Sequence, residues 1–144
     1  MAAILHMSFR VKDPQRSAEL YAELLGGRLI DPGPQLGSID VKSIAFGDEK
    51  RGAFSDMIEF WPRDKHWAGE FIPSDPSRLL PFGHLAFQTT KSEDELAAIA
   101  EKHGATFKQE ERGLPALVPV IYDFEGNFLE FFPPLNTEPA AAAK

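Results

Sequence analysis

Four side chains in this sequence could together hold a divalent metal: His6 in "ILHMSFRV", Glu59 in "DMIEFWP", His84 in "PFGHLAFQTT" and Glu130 in "NFLEFFPP". Two imidazoles and two carboxylates make a mixed nitrogen and oxygen donor set suited to a divalent transition metal, with positions left for water or substrate. Each residue alone has an ordinary explanation, since a strand histidine is usually a hydrogen-bonded structural residue and a strand glutamate usually faces water. Glu130 resists that explanation because it sits among Phe128, Leu129, Phe131 and Phe132. An ionised carboxylate buried there without a partner would be costly, so it is paired, protonated or metal-bound, or else it points at water.

The elements that must position these residues repeat. Leu5, Met7, Phe9 and Val11 alternate with His6, Ser8 and Arg10, the pattern of a half-buried strand. Asp13-Pro14 offers an N-cap and a proline at the first helical position, and the apolar spacing of "QRSAELYAELLGG" predicts a helix that stops at Gly26-Gly27. Three strands are expected between Arg28 and Pro62. The second half restarts with a strand in "PFGHLAFQTT" and a helix in "KSEDELAAIAEKHG", with a Ser92/Glu95 capping box and a stop at Gly104. Strands in "ATFKQEE", "LVPVIYD" and "NFLEFFPP" follow, the last two joined by a glycine turn at "FEGN" suited to a tight hairpin.

An offset of 78 residues (84 − 6 = 78) sets His6 on His84 and also aligns Phe9 with Phe87, Ala22 with Ala100, Glu23 with Glu101 and Gly26 with Gly104. "IEFWP" lies on "LEFFP" at an offset of 71 (130 − 59 = 71), which sets Glu59 on Glu130. Each copy therefore carries one histidine in its first strand and one glutamate in its last, and this matched placement favours a metal over four unrelated residues. The expected fold class is α+β: two βαβββ modules forming an open, barrel-like cleft of mixed sheet. Residues 1–134 form one domain, with module one at 1–62, a linker at 63–80 and module two at 81–134, and the alanine-rich tail 135–144 is expected to be disordered.

Composition narrows the function classes. With 43% hydrophobic and 26% charged residues the chain reads as a folded globule, and no apolar run approaches the roughly 20 residues of a membrane span. A net charge of −7 with no basic cluster argues against nucleic acid as a partner. The absence of cysteine excludes disulfides, thiolate metal sites and a cysteine nucleophile, and it fits a cytoplasmic setting. The other two histidines gain no support from the repeat: His66 falls in the linker and His103 in the last turn of a helix, where a cation favours the dipole. On the His6 face, Arg10 could take a substrate carboxylate by a bidentate contact, against the plainer expectation of a surface ion pair. Trp61, Phe60, Trp67, Phe128 and Phe132 could line an apolar pocket, although core packing is the plainer account of any one of them. Arg63 and Arg78 stand in or beside the linker, near the expected pocket mouth.

Taken together, "LHMSFRV" with "DPQRSAELYAELLG", "FGHLAF" and "YDFEGNFLEFF" resemble the vicinal oxygen chelate superfamily, most of all glyoxalase I (lactoylglutathione lyase), over nearly the whole chain. The resemblance implies His6, Glu59, His84 and Glu130 as metal ligands, with nickel, cobalt or zinc as the ion. It implies Arg10 as the residue that holds the glutathione part of the substrate, glutathione as co-substrate, and a homodimer in which modules of two chains share each site. The chain departs from glyoxalase I at Arg63, where an asparagine is usual, at Leu80, where zinc-type members carry arginine, and at Phe124, where the turn usually has proline.

The expected activity is a metal-dependent isomerisation of a hemithioacetal or related vicinal-oxygen substrate. The metal would act as a Lewis acid toward an enediolate, and Glu130 or Glu59 would move a proton between adjacent carbons. Rival activities are an Fe(II) extradiol dioxygenase, which needs only three protein ligands and leaves Glu59 without a purpose, a coenzyme A thioester epimerase, and a non-catalytic drug-binding resistance protein. The last gives no reason for two matched His-Glu pairs.

Overall fold

A computed structural model describes residues 6–30, 39–47, 57–63, 85–111 and 116–134. Of His6 the backbone is described. His84, His66, Trp67, Arg78, Leu80, the expected linker beyond Arg63 and the tail 135–144 lie outside the described residues.

The alternation of the first strand is realised in β1 (His6–Val11), where Phe9 and Val11 are buried. Helix α1 (Pro14–Leu25) begins where the Asp13 carboxylate accepts the Arg16 N–H at 3.0 Å, and Pro14 occupies a first-turn position that needs no donor. It ends at Gly26, whose φ of 71° is the left-handed conformation that glycine adopts without steric cost. Three strands complete the module: β2 (Arg28–Ile30), β3 (Lys42–Ala45) and β4 (Met57–Pro62). Module two repeats the order with β5 (Leu85–Gln88), α2 (Glu93–His103), β6 (Thr106–Glu110), β7 (Val118–Tyr122) and β8 (Phe128–Phe132). The Ser92/Glu95 capping box opens α2, and Gly104 closes it at φ 70°.

The two sheets share one topology. Module one has strand order β1-β4-β3-β2 and module two β5-β8-β7-β6. In each, the first strand pairs parallel with the last and the remaining pairs are antiparallel, which makes the sheet mixed. Leu20, Tyr21 and Leu24 of α1 join Phe9, Val11, Ile44, Ile58 and Phe60 in a cluster that continues through Leu96, Ile99 and Ala100 of α2 to Ile121, Leu129 and Phe131. Burying each larger side chain of this kind contributes about 1.5–3 kcal/mol. The helices also touch each other, so a single apolar core covers one face of both sheets.

Polar contacts lock the junction between modules at the β7–β8 turn. Asp123 is buried; its Oδ1 accepts the Glu125 and Asn127 N–H groups at 2.9 and 2.8 Å, and its Oδ2 accepts Asn127 Nδ2 at 2.7 Å and the Tyr21 hydroxyl at 2.8 Å. The connection spans residues 123–127, longer than a two-residue hairpin, because the Asp123 carboxylate organises it. Burial first, then the Asp123 charge, pushes the Tyr21 phenol well above its ordinary value. Arg16 lies 3.7 Å from the centre of the Phe124 ring, and its Nη2 donates to the His103 carbonyl at 2.9 Å. Among the described residues no helix is long and apolar enough to cross a membrane.

Candidate metal centre

Pairing across β4 builds a row of polar residues on the sheet face opposite the helix-packed core. On one side β1 sets His6 beside Met57, Ser8 beside Glu59 and Arg10 beside Trp61. On the other side β3 sets Ser43 beside Glu59. Directly opposed strand residues share a face, so Ser8, Glu59 and Ser43 cross three strands together while Phe9, Ile58 and Phe60 fill the core face. Phe60 stacks on Phe9 with ring centres 5.8 Å apart, which makes it a core residue and not a pocket wall.

Glu59 is 6% exposed, yet it is not surrounded by apolar groups alone. Its Oε2 accepts the Ser8 hydroxyl at 2.9 Å and the Trp61 indole N–H at 3.0 Å. Hydrogen bonds to an ionised acceptor are stronger than neutral ones, and two of them offset much of what burial costs the charge. Trp61 is itself buried, and Arg10 lies 5.2 Å from its ring centre with Nη1 donating to the Pro62 carbonyl at 3.3 Å. Arg63, at the end of β4, places Nη2 2.8 Å from Glu125 Oε2 of the β7–β8 turn. Of the three residues expected to bind substrate, Arg10 and Trp61 thus stand together on the Glu59 face, whereas Arg63 is engaged with module two.

In module two the same offsets carry Ser8 onto Ala86 and Glu59 onto Glu130, and the parallel pairing of β5 with β8 joins those two residues. Val120 of β7 stands opposite Glu130, as Ser43 stands opposite Glu59. Glu130 is 7% exposed. The side chains of Ala86, Val120 and Phe132 carry no hydrogen-bond donor, and Val118, Val120 and Phe128 form a small second apolar cluster against which Tyr122 and Phe132 pack.

These two carboxylates fit a cation. Both are withdrawn from water, and Glu59 has one oxygen fixed by outer partners, as ligating carboxylates commonly do. Among the described residues no group of three or more His, Asp or Glu side chains converges, and the two histidines that would complete the set are His84 and His6, whose side chains are not described. A cavity of about 860 Å³ opens elsewhere, lined by Met7, Phe46, Met57, Phe87, Gln88 and Lys91 among others, and neither glutamate lines it. Sequence reasoning assigned no role to Ser8, Ser43 or Asp123. Ser8 carried a signal, being two residues from His6 on its face; Ser43 carried only a hydroxyl inside the β-rich "VKSIAF". The Ser43 hydroxyl is fully buried and has no hydrogen-bond partner among the described residues, a state that costs about 1–3 kcal/mol.

A family model described as the Glyoxalase/Bleomycin resistance protein/Dioxygenase superfamily matches residues 3–131. No curated protein matches the chain in sequence. Among solved structures, the fosfomycin resistance protein FosX of Mesorhizobium loti is 18% identical, with 96% of each chain covered and a TM-score of 0.61. The trypanothione-dependent glyoxalase I of Leishmania major is 22% identical over 92% of this chain and 87% of that one, with a TM-score of 0.56. A glyoxylase/bleomycin resistance protein/dioxygenase domain from Frankia is 20% identical over 92% of this chain and 98% of that one, with a TM-score of 0.57. At these identities the likeness to the solved structures is one of fold.

Proposed function

The chain belongs to the Glyoxalase/Bleomycin resistance protein/Dioxygenase superfamily, and within it we propose a metal-dependent isomerase of the glyoxalase I type, acting on a hemithioacetal of an α-keto aldehyde and a thiol such as glutathione. Superfamily members commonly bind a divalent metal. The observation that carries the reading is the pair of glutamates, Glu59 and Glu130, both buried and both at the same register of their module. His6, Glu59, His84 and Glu130 would hold the ion. Nickel, cobalt or zinc, when bound, supplies Lewis acidity toward the two vicinal oxygens of the substrate.

The chain's own residues then divide the work. Glu59, held by Ser8 and Trp61, serves as a ligand in the site. Glu130 takes the proton from the carbon that bears the sulfur and returns it to the former carbonyl carbon, while the hydroxyl proton passes between the two oxygens. The hydroxy ketone becomes a hydroxy thioester with no net oxidation. Ser8 and the Trp61 indole already engage Glu59 Oε2, and we assign the role of base to Glu130. Arg10, beside Trp61, would orient the carboxylate of the thiol portion. Arg63 could join it only by exchanging Glu125 for substrate.

The core packs one face of each sheet against the helices, and the glutamates lie on the other faces. That arrangement supports a homodimer in which module one of one chain meets module two of its partner. The cysteine-free composition is consistent with a reducing, cytoplasmic setting.

The test is to strip the protein with a chelator, reload it separately with nickel, cobalt, zinc and iron(II), and follow isomerisation of the methylglyoxal–glutathione hemithioacetal. Turnover with at least one of the first three supports the reading. Silence in all four overturns it.

A further inference from the structure

In this structure the Glu59 carboxylate leans toward β1, where Ser8 and the Trp61 indole hold Oε2. On the opposite side of β4, Ser43 occupies the position directly across from Glu59 with its hydroxyl buried and unpartnered among the described residues. The sheet itself does not require a hydroxyl there, because the matching position of module two carries Val120. Opposed side chains on neighbouring antiparallel strands have Cβ atoms roughly 4.5–5.5 Å apart, and a glutamate is long enough to reach a serine at that separation by changing rotamer.

We propose that Ser43 is a positioning residue that offers Glu59 a second seat: the carboxylate moves between a β1-side position, held by Ser8 and Trp61, and a β3-side position, held by the Ser43 hydroxyl. On the reading that Glu59 would be a metal ligand, Ser43 would offer the carboxylate a hydrogen-bonded resting place on the side of β4 away from β1. The hydroxyl donates in the second seat and is idle in the first. Valine at position 120 gives Glu130 no such seat, so only the module one glutamate is built to move this way.

The experiment is a double-mutant cycle on the metal-free protein, read by thermal unfolding, with metal affinity of each variant measured by calorimetry. Ser43→Ala alone is expected to leave Tm unchanged or to raise it by about 1–3 °C, because only an unused polar group is lost. In a Trp61→Phe background, or in Ser8→Ala, which alters an exposed hydroxyl and leaves the core untouched, Glu59 shifts to Ser43. There the same Ser43→Ala change is expected to lower Tm by about 3–6 °C, and Ser43→Thr, which keeps a hydroxyl, is expected to avoid that loss. Equal effects of Ser43→Ala in all backgrounds would overturn the proposal, as would a drop in Tm of several degrees from Ser43→Ala alone. Failure of the wild-type protein to bind metal would sink the proposed function, while a cycle showing this coupling would leave the two-seat carboxylate standing.

Discussion

The two modules place the same residue at the same register and set different side chains opposite it on the neighbouring strands. Glu59 lies between Ser8 and Ser43, with the Trp61 indole donating from two residues along its own strand; Glu130 lies between Ala86 and Val120, with Phe132 in the place of Trp61. Backbone pairing, helix caps and core faces are common to both copies. What has diverged is the hydrogen-bonding capacity of the neighbours on the adjacent strands. Duplication supplies matched glutamates, and substitution of three neighbours gives one of them hydroxyl and indole donors that the other does not meet on its adjacent strands.

The largest test of that contrast is Glu130→Gln. Loss of a general base costs about 10²–10⁴-fold in rate, so kcat is expected to fall by that factor while substrate affinity is retained. Glu59→Gln is expected to act chiefly through metal affinity. Equal loss of metal by both variants, with no separate effect of Glu130→Gln on kcat, would erase the proposed division of roles.

Exchanging the surroundings tests the cause. Trp61→Phe removes the indole donor on Glu59 and is expected to weaken metal binding by about 10–100-fold, the usual effect of losing an outer partner of a ligand. The reciprocal pair Ala86→Ser with Phe132→Trp would give Glu130 the partners of Glu59. Its kcat is expected to fall about tenfold with metal affinity kept, measured by stopped-flow turnover and by calorimetry.

The junction between modules should respond to Tyr21→Phe, which deletes a buried hydrogen bond to the Asp123 carboxylate. A cost of about 1.5–3 kcal/mol is expected in chemical unfolding. Because burial and Asp123 raise the Tyr21 phenol, the wild-type contribution is complete below the ordinary tyrosine range and is lost only as pH rises through the raised value. The wild-type protein should therefore shed this stability on its alkaline limb, and Tyr21→Phe should flatten that limb.

The smallest effect belongs to Glu23. Its carboxyl is lowered by hydrogen bonds from Lys102 and His103, each at 2.7 Å, on a side chain that is about a third exposed. Its contribution is present above the ordinary glutamate value and fades as pH falls through the lowered one. Solvent screening limits it, so Glu23→Gln is expected to cost only a few tenths of a kcal/mol near neutral pH, and less still in acid.

Much of this was legible in the sequence because it is local. Asp13-Pro14, Ser92 with Glu95, Gly26 and Gly104 end their helices through contacts within four residues along the chain, and strand alternation separated Glu59 from Ile58 and Phe60 without any knowledge of neighbours. Phe60, a candidate for the pocket wall in the sequence, instead stacks on Phe9 in the core. The repeat was legible because both copies kept their offsets. The contact of Arg16 with the Phe124 ring was not visible in the sequence, because α1 and the β7–β8 turn meet only in the fold.

The sequence by itself determined the modules, their helix limits, and the pairing of a histidine with a glutamate at matched places in each. Those follow from local dihedral preference, capping and the period of the strand, which every segment carries within itself. Only the tertiary structure decided that Ser8 and Trp61 hold Glu59, that Ser43 lies idle across from it, that Arg63 is taken by Glu125, and that Tyr21 reaches Asp123. Strand register and helix docking bring those partners together, and they are set by how the whole core packs, a property that no single stretch of the chain contains.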